Sequence, residues 1–177
     1  MKDKLIRVFH IRGILRKMNL FLVNHVYVGT SEKYFEKKRV LLNRVGYKLG
    51  EGTKVVGPIY CTGTLECGKN CWLGKNLVVN GNGVVIIGDN CDIAPDVIFQ
   101  TGGHEIGKAQ RRAGEGQLHV QRVGDGVWIG GRVTIIGKTS VGSGSVIAGC
   151  ACVINDVPEN VMVGGVPAKI IRRLEND

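Results

Sequence analysis

Two histidines, His104 and His119, are the only imidazoles beyond residue 48; His10 and His25 lie in the N-terminal arm. A free imidazole ionises at about 6.5, which suits it to take a proton from a weak nucleophile such as a hydroxyl. His104 is the better placed of the two. It closes the six-residue unit FQTGGH and stands at the mouth of the one long interruption in an otherwise regular stretch. A base of this kind needs an orienting partner on its second ring nitrogen. Glu105 is the adjacent carboxylate, but neighbours on an extended chain point apart, and a backbone carbonyl would serve equally well. The residues alone leave that choice open. His119 falls within the interruption and reads as exposed.

The regular stretch is what must hold these groups. From Leu49 to Pro158 the chain repeats every six residues: LGEGTK, VVGPIY, CTGTLE, CGKNCW, LGKNLV, VNGNGV, IGDNCD, IAPDVI, FQTGGH, then VGDGVW, IGGRVT, IIGKTS, VGSGSV, IAGCAC, VINDVP. A helix needs a period near 3.6 and a half-buried strand a period of 2. A period of six with turn residues in each unit predicts short strands joined by tight corners and wound into a solenoid. First positions three units apart fall at Leu49, Cys67, Ile87, Val123 and Val141. Cys67 to Ile87 carries a two-residue insertion, and Ile87 to Val123 carries an eighteen-residue loop, 105–122. The expectation is an all-β core of about five coils, each rising by roughly 4.8 Å. First and fifth positions such as Ile87, Cys91, Ile93, Val97, Val127 and Val133 should fill it.

Three segments follow: a basic helical arm at 1–48, the coil at 49–158, and a C-terminal tail at 159–177. Residues 1–48 hold twelve Lys and Arg against three acids, whereas 49–177 hold twelve of each, so the net charge of +9 belongs to the arm. A coil with no basic excess and no interleaved aromatics excludes a nucleic-acid binder. The arm has Leu5, Phe9, Ile11, Leu15, Met18 and Leu22 near helical spacing, with no signal-peptide cleavage site. Its uncharged run, Met18 to Ser31, is shorter than the roughly 20 residues of a membrane span. Two readings stay open: a helix packed on the first coil or on a neighbouring subunit, or an interfacial helix touching anionic lipid. Ser31 to Leu42 reads as a second helix that caps the open end of the solenoid, with Ser31 as N-cap. The six cysteines, Cys61, Cys67, Cys71, Cys91, Cys150 and Cys152, lack the spacing and histidine partners of a zinc site. They read as reduced core thiols of a cytoplasmic protein.

The stretches IGDNCDIAPDVIFQTGGHEIG, VGDGVWIGGRVTIIG and VINDVPENVMVGGVPAKIIRRL, with KKRVLLNRVGYKLGEGTKVVGPIY upstream, resemble the hexapeptide-repeat acyltransferases. Within them the chain is similar to the maltose, galactoside and capsular-polysaccharide O-acetyltransferases, over about four-fifths of its length. The resemblance implies a left-handed parallel β-helix, a handedness that generic crossover rules would not supply. It implies a cytoplasmic homotrimer with sites between subunits, acetyl-CoA as donor, no metal, and a saccharide hydroxyl as acceptor. Gly103-His104 matches the family's catalytic Gly-His. The gamma-type carbonic anhydrases share the solenoid but need three zinc-binding histidines, and only two lie in the coil.

The resemblance also implies the remaining site residues. Gly130, Gly131 and Gly149 match a wall of small residues beside the pantetheine arm, with Trp128 near the thioester. Ile154, Asn155, Pro167, Lys169 and Arg172 match positions around the adenine and 3′-phosphate. Trp72 falls where an aromatic contacts the sugar. Asn80 and Asn82 read as third-strand residues stacked below His104 and available to the acceptor, although NGNG is also a strong turn sequence. Arg111 and Arg112 in the loop either meet an acidic acceptor or solvate the loop. The galactoside and maltose enzymes have an aspartate at Asn82 and an asparagine at Gly74, departures that leave the resemblance intact for the chemistry and weaken it for the substrate. Serine and xenobiotic acetyltransferases share the scaffold, as would a catalytically idle trimeric binding platform.

Overall fold

The computed structural model describes residues 13–175, and the arm residues Leu5, Phe9, His10 and Ile11 lie outside them. A helix over 13–21, α1, runs into one π turn at Leu22–Val26. The helix α2 follows at Glu32–Asn43. Ser31 stands at its N-cap position with extended backbone, but its side chain makes no capping bond. Phe35, Lys38, Leu41 and Leu42 form the buried face of α2, and Leu41 and Leu42 join the same apolar core as Leu49, Val55 and Leu73. The helix therefore caps the open end of the solenoid. The arm's stripe divides: Leu20, Leu22 and Val23 pack on that core, whereas Ile14, Leu15, Met18 and Phe21 stay exposed. Among the described residues no helix is long and apolar enough to cross a membrane.

The body is a parallel solenoid with three faces. Its first face stacks Lys48–Leu49, Thr64–Cys67, Val84–Ile87, Val120–Val123 and Ser140–Val141. The second stacks Lys54–Val55, Trp72–Leu73, Asp92–Ile93, Trp128–Ile129, Val146–Ile147 and Val161–Gly164. The third stacks Ile59–Cys61, Leu77–Asn80, Ile98–Gln100, Thr134–Ile136 and Cys152–Val153. Cys67 pairs with Ile87, Ile87 with Val123, and Val123 with Val141, the register that the six-residue frame requires. Parallel stacking runs past Pro158 into Val161–Gly164, and Lys169–Arg173 then folds back antiparallel on that strand.

The period has a local cause. Each corner between the first and second faces holds one residue of positive φ: Gly52, Asn70, Asn90, Gly126, Gly144 and Asn160. Gly57, Asn76, Asp96, Arg132 and Cys150 do the same between the second and third. Glycine and asparagine enter this region most readily, which is why they punctuate the units. Between the corners, Ile87, Cys91, Ile93, Val97, Val127 and Val133 point inward and are buried. Each such aliphatic contributes on the order of 1.5–3 kcal/mol.

All six cysteines are free. Cys67, Cys71 and Cys91 are core residues, but Cys150 is an exposed corner residue with φ of 62° and is no core thiol. Hydrogen bonding to the Cys71 thiol, then burial, hold the Cys67 and Cys91 thiols above the usual range.

Candidate active site

The expected loop is an ordered β-hairpin that leaves the prism at the corner between its third and first faces. Gly102–Ile106 pairs antiparallel with Ala113–Leu118, and the chain re-enters the coil at Val120. Two buried polar side chains fix its roots. At the exit, Thr101 Oγ1 donates to the Asn80 carbonyl (2.8 Å) and accepts from the Gly83 N–H (3.2 Å). At re-entry, Gln121 Nε2 donates to the carbonyls of Gln100, Ile135 and Gly137 at 3.2, 3.1 and 2.9 Å. The sequence reading missed both. Their signal was present: Phe99 and Thr101, and Gln121 and Val123, are the inward pairs of their segments, so a polar residue stood on each inward alternation. Most buried polar groups are hydrogen-bonded, and here the Thr101 hydroxyl and the Gln121 amide nitrogen are, while Gln121 Oε1 is left without a partner.

His104 therefore sits on the hairpin and does not end the third strand of the coil, which stops at Gln100. Its Nδ1 lies 3.1 Å from the Gly114 carbonyl on the opposing hairpin strand. A carbonyl can only accept, so Nδ1 carries the hydrogen and the lone pair of the neutral ring is on Nε2. That is the tautomer a proton acceptor needs. The Glu105 carboxylate is turned away and accepts from Gln117 Nε2 at 3.1 Å. The backbone carbonyl is thus the orienting partner, and Glu105 is not. Accordingly, Glu105→Gln should leave kcat within about threefold of wild type in an acetyl-transfer assay; a loss of a hundredfold would restore Glu105 to the site. His119 packs its ring against Gly103, with Nε2 3.3 Å from where a Cβ on Gly103 would lie. A Cβ at residue 103 would press on that ring, which would have to shift by a few tenths of an ångström.

The Asn80–Gly83 corner holds the two-residue insertion. Asn80 pairs in register with Gln100, not with the segment bearing His104, and Asn82 is an exposed corner residue. A Cβ on Gly81 would collide with the Gly102 backbone, so this corner props the base of the hairpin. Asn80 and Asn82 thus stand at the corner beneath the hairpin base, and Asn80 is not stacked below His104. At the hairpin tip Arg112 donates to the Gly107 carbonyl at 3.2 Å, which occupies it in closing the turn. Arg111 is exposed and makes no ion pair among the described residues.

The two indoles lie elsewhere, on the outer side of the second face. Trp72 and Trp128 pair in register with Asp92 from either side. With Ile93, Ala94 and Pro95 they line a cavity of 310 Å³. Trp72 is braced edge-on by Phe35 of α2, with ring centroids 5.6 Å apart, and Trp128 is 57% exposed. Asp92 was not singled out from the sequence. Its spacings of twenty from Trp72 and thirty-six to Trp128 repeat those of Cys67, Ile87 and Val123, so the alignment was readable.

Further along this side the small residues divide. A Cβ on Gly130 would lie 2.6 Å from the Gly149 nitrogen, and one on Gly149 would lie 3.2 Å from the Gly131 carbonyl oxygen. Coil stacking alone demands glycine at Gly130. Gly131 has only the Pro95 carbonyl oxygen near, at 3.4 Å, and leaves an open corner. Ile154 and Asn155 are exposed just after the last third-face strand. Pro167 lies in the exposed turn before Lys169–Arg173, a strand whose residues are all exposed, Lys169 and Arg172 included. Among the described residues no three of His, Cys, Asp and Glu converge as a metal ion would require.

No protein-family model matches the chain. A protein of Saccharomyces cerevisiae described as an acetyltransferase is 42% identical over 152 residues, which cover 85% of this chain and 78% of that protein. The galactoside O-acetyltransferase of Escherichia coli is 33% identical over 143 residues, covering 80% and 70%. A hexapeptide-repeat acetyltransferase of Vibrio cholerae, solved with acetyl-CoA, superposes with a TM-score of 0.78 at 27% identity, covering 94% of this chain and 89% of that one. A galactoside acetyltransferase solved with coenzyme A gives 0.77 at 28%, covering 93% and 81%.

Proposed function

Since the chain belongs to the hexapeptide-repeat acetyltransferases of left-handed β-helix fold, we propose that it transfers an acetyl group from acetyl-CoA to a saccharide hydroxyl. The single observation that carries the mechanism is the Nδ1–Gly114 contact, which leaves Nε2 of His104 free to accept a proton. Acetyl-CoA supplies the acetyl group as a thioester. Gly131 would offer an open corner to its slender arm, and the exposed Lys169 and Arg172 would meet its phosphates. Trp128 would flank the thioester end, with Ile154, Asn155 and Pro167 around the adenine. The hydroxyl of the acceptor gives its proton to Nε2 as its oxygen attacks the thioester carbon. The imidazolium is then held by the Gly114 carbonyl until the departing thiolate takes the proton back.

A trimer with sites between subunits fits the same geometry. The hairpin leaves at the corner of the third and first faces, whereas the indoles stand on the second. One subunit's His104 would therefore meet a neighbour's indole face. Ile106 and Leu118 on the hairpin are 88% and 66% exposed, apolar area that a neighbour would cover. The exposed residues of α1, Leu15, Met18 and Phe21, suit either a neighbouring subunit or a lipid surface. Six free cysteines agree with a reducing compartment.

The test is formation of acetylated product, followed by mass spectrometry with a panel of sugars and serine. Mass detection avoids a thiol reagent, which would also label exposed Cys150. Sugar-dependent product formation is expected. Product with serine alone would move the acceptor to that amino acid, and no product with no coenzyme A binding would leave an idle scaffold.

A further inference from the structure

The second face carries one feature that acetyl transfer does not need: a carboxylate set between two indoles. Asp92 is exposed, and it pairs in register with Trp72 on one side and Trp128 on the other. The two tryptophans are thus two strand spacings apart, roughly 10 Å along the solenoid axis. That separation admits a flat or ring-shaped group between two aromatic walls, with the carboxylate as floor. Among the described residues Asp92 forms no ion pair and accepts no hydrogen bond from another side chain. The nearest cation in the same column is Lys54, beyond Trp72, and it is directed to Glu32 at 3.4 Å and to the Phe35 ring at 5.5 Å. One wall is held in place before any ligand arrives, because Phe35 meets the Trp72 ring edge-on.

Indole faces attract cations, and a carboxylate beside them adds a full opposite charge. A neutral sugar gains stacking from such walls and hydrogen bonds from its hydroxyls to the carboxylate, a protonated amine gains a full charge pairing besides, and an anionic group is repelled. We propose that the Trp72–Asp92–Trp128 cavity selects a ligand bearing a protonated amine, so that the acceptor is an amine-bearing saccharide and Asp92 is the residue that sets this preference. The proposal rests on the acetyltransferase reading for the word acceptor, but the cavity's preference for a cation stands apart from it. It also assigns no acceptor-binding role to Arg111 and Arg112, whose charge would oppose such a ligand.

Both tryptophans of the chain line this cavity, so intrinsic fluorescence reports on it directly. The test titrates the full-length protein, without donor, with glucosamine, glucose, N-acetylglucosamine and glucuronate at neutral pH. Glucosamine should perturb the emission and bind at least about tenfold more tightly than glucose or N-acetylglucosamine, which share its ring but lack the charge. Asp92→Asn should erase that advantage while the circular dichroism spectrum of the solenoid is retained, because the side chain points outward. Equal binding of glucose and glucosamine, an Asp92→Asn variant that keeps the preference, or no response to glucosamine would each overturn the proposal. Because no donor or turnover enters the measurement, failure here is distinct from failure of the acetyl-transfer reading, which product formation tests.

Discussion

Replacing His104 by alanine should lower kcat for acetyl transfer by about 10²–10⁴-fold, with the solenoid and coenzyme A binding intact. The size follows from what is lost. A sugar hydroxyl holds its proton tightly at neutral pH, and no other imidazole takes the place of this one: His119 has its ring packed on Gly103. The fold should tolerate the change because the ring is exposed and makes a single hydrogen bond, to the Gly114 carbonyl. Glutamine at the same position should be nearly as slow, since its amide cannot accept and release a proton. Steady-state kinetics with the best sugar acceptor, beside equilibrium binding of coenzyme A, measures both. A variant that keeps more than a tenth of the wild-type rate would remove His104 from the role of base.

Lys38→Ala should destabilise the protein by about 3 kcal/mol, from three buried methylenes and the cavity they leave. Lys38 is fully buried in α2, and its ammonium donates to the Gly29 carbonyl at 2.8 Å and the Val56 carbonyl at 3.2 Å. It also stands 4.7 Å from the centre of the Phe35 ring. The side chain thus ties α2 and the segment after α1 to the first coil, behind the ring that braces Trp72. Lys38→Met refills the stem and should recover most of the loss. The head group has a second signature. Burial lowers its pKa from the ordinary 10.5 to about 8. Below pH 8 both folded and unfolded chains hold the proton, and the folded state carries the full cost of a buried charge. Between pH 8 and 10.5 the unfolded chain binds the proton that the folded chain has released. Stability from this group therefore rises with pH across that window, by about 3 kcal/mol at its limit. Urea unfolding of the wild type and both variants at pH 7, 9 and 10, at one protein concentration, separates the two effects. Identical pH dependence in wild type and Lys38→Met would show that burial does not lower the proton affinity of the ammonium, which would then stay charged in the folded protein across this range.

Much of the architecture was legible before any coordinates. One positive-φ residue at each corner between the first and second and between the second and third faces, and inward-facing side chains on each strand, are local requirements, so they recur in the chain at the period of the coil. Asn70 and Asn90 mark corners, Ile87 and Val123 mark stacked core positions, and the register of five coils follows from counting. The insertion at Asn80–Gly83 was readable as a departure from the count, and so was the alignment of Trp72, Asp92 and Trp128. Gly103-His104 was found from its place at the interruption and from the resemblance it carries.

What the count could not supply lies where the chain leaves the period. Residues 102–118 pair only with themselves, and no repeat constrains them. The hairpin pairs His104 with Gly116 and shifts register just after it, and this decides that the Gly114 carbonyl reaches the His104 ring and that Gln117 takes Glu105. The same is true of Gly130, whose small size reads as room for a ligand until the neighbouring coil fills that room. The amino-acid sequence by itself determined the solenoid, its register and the histidine that could act as base, because these depend on φ preferences and side-chain alternation within a few residues. Only the tertiary structure decided which carbonyl orients that histidine, which tautomer it holds, and which carboxylate stands unpaired between two indoles, because these are contacts between segments whose spacing carries no local preference.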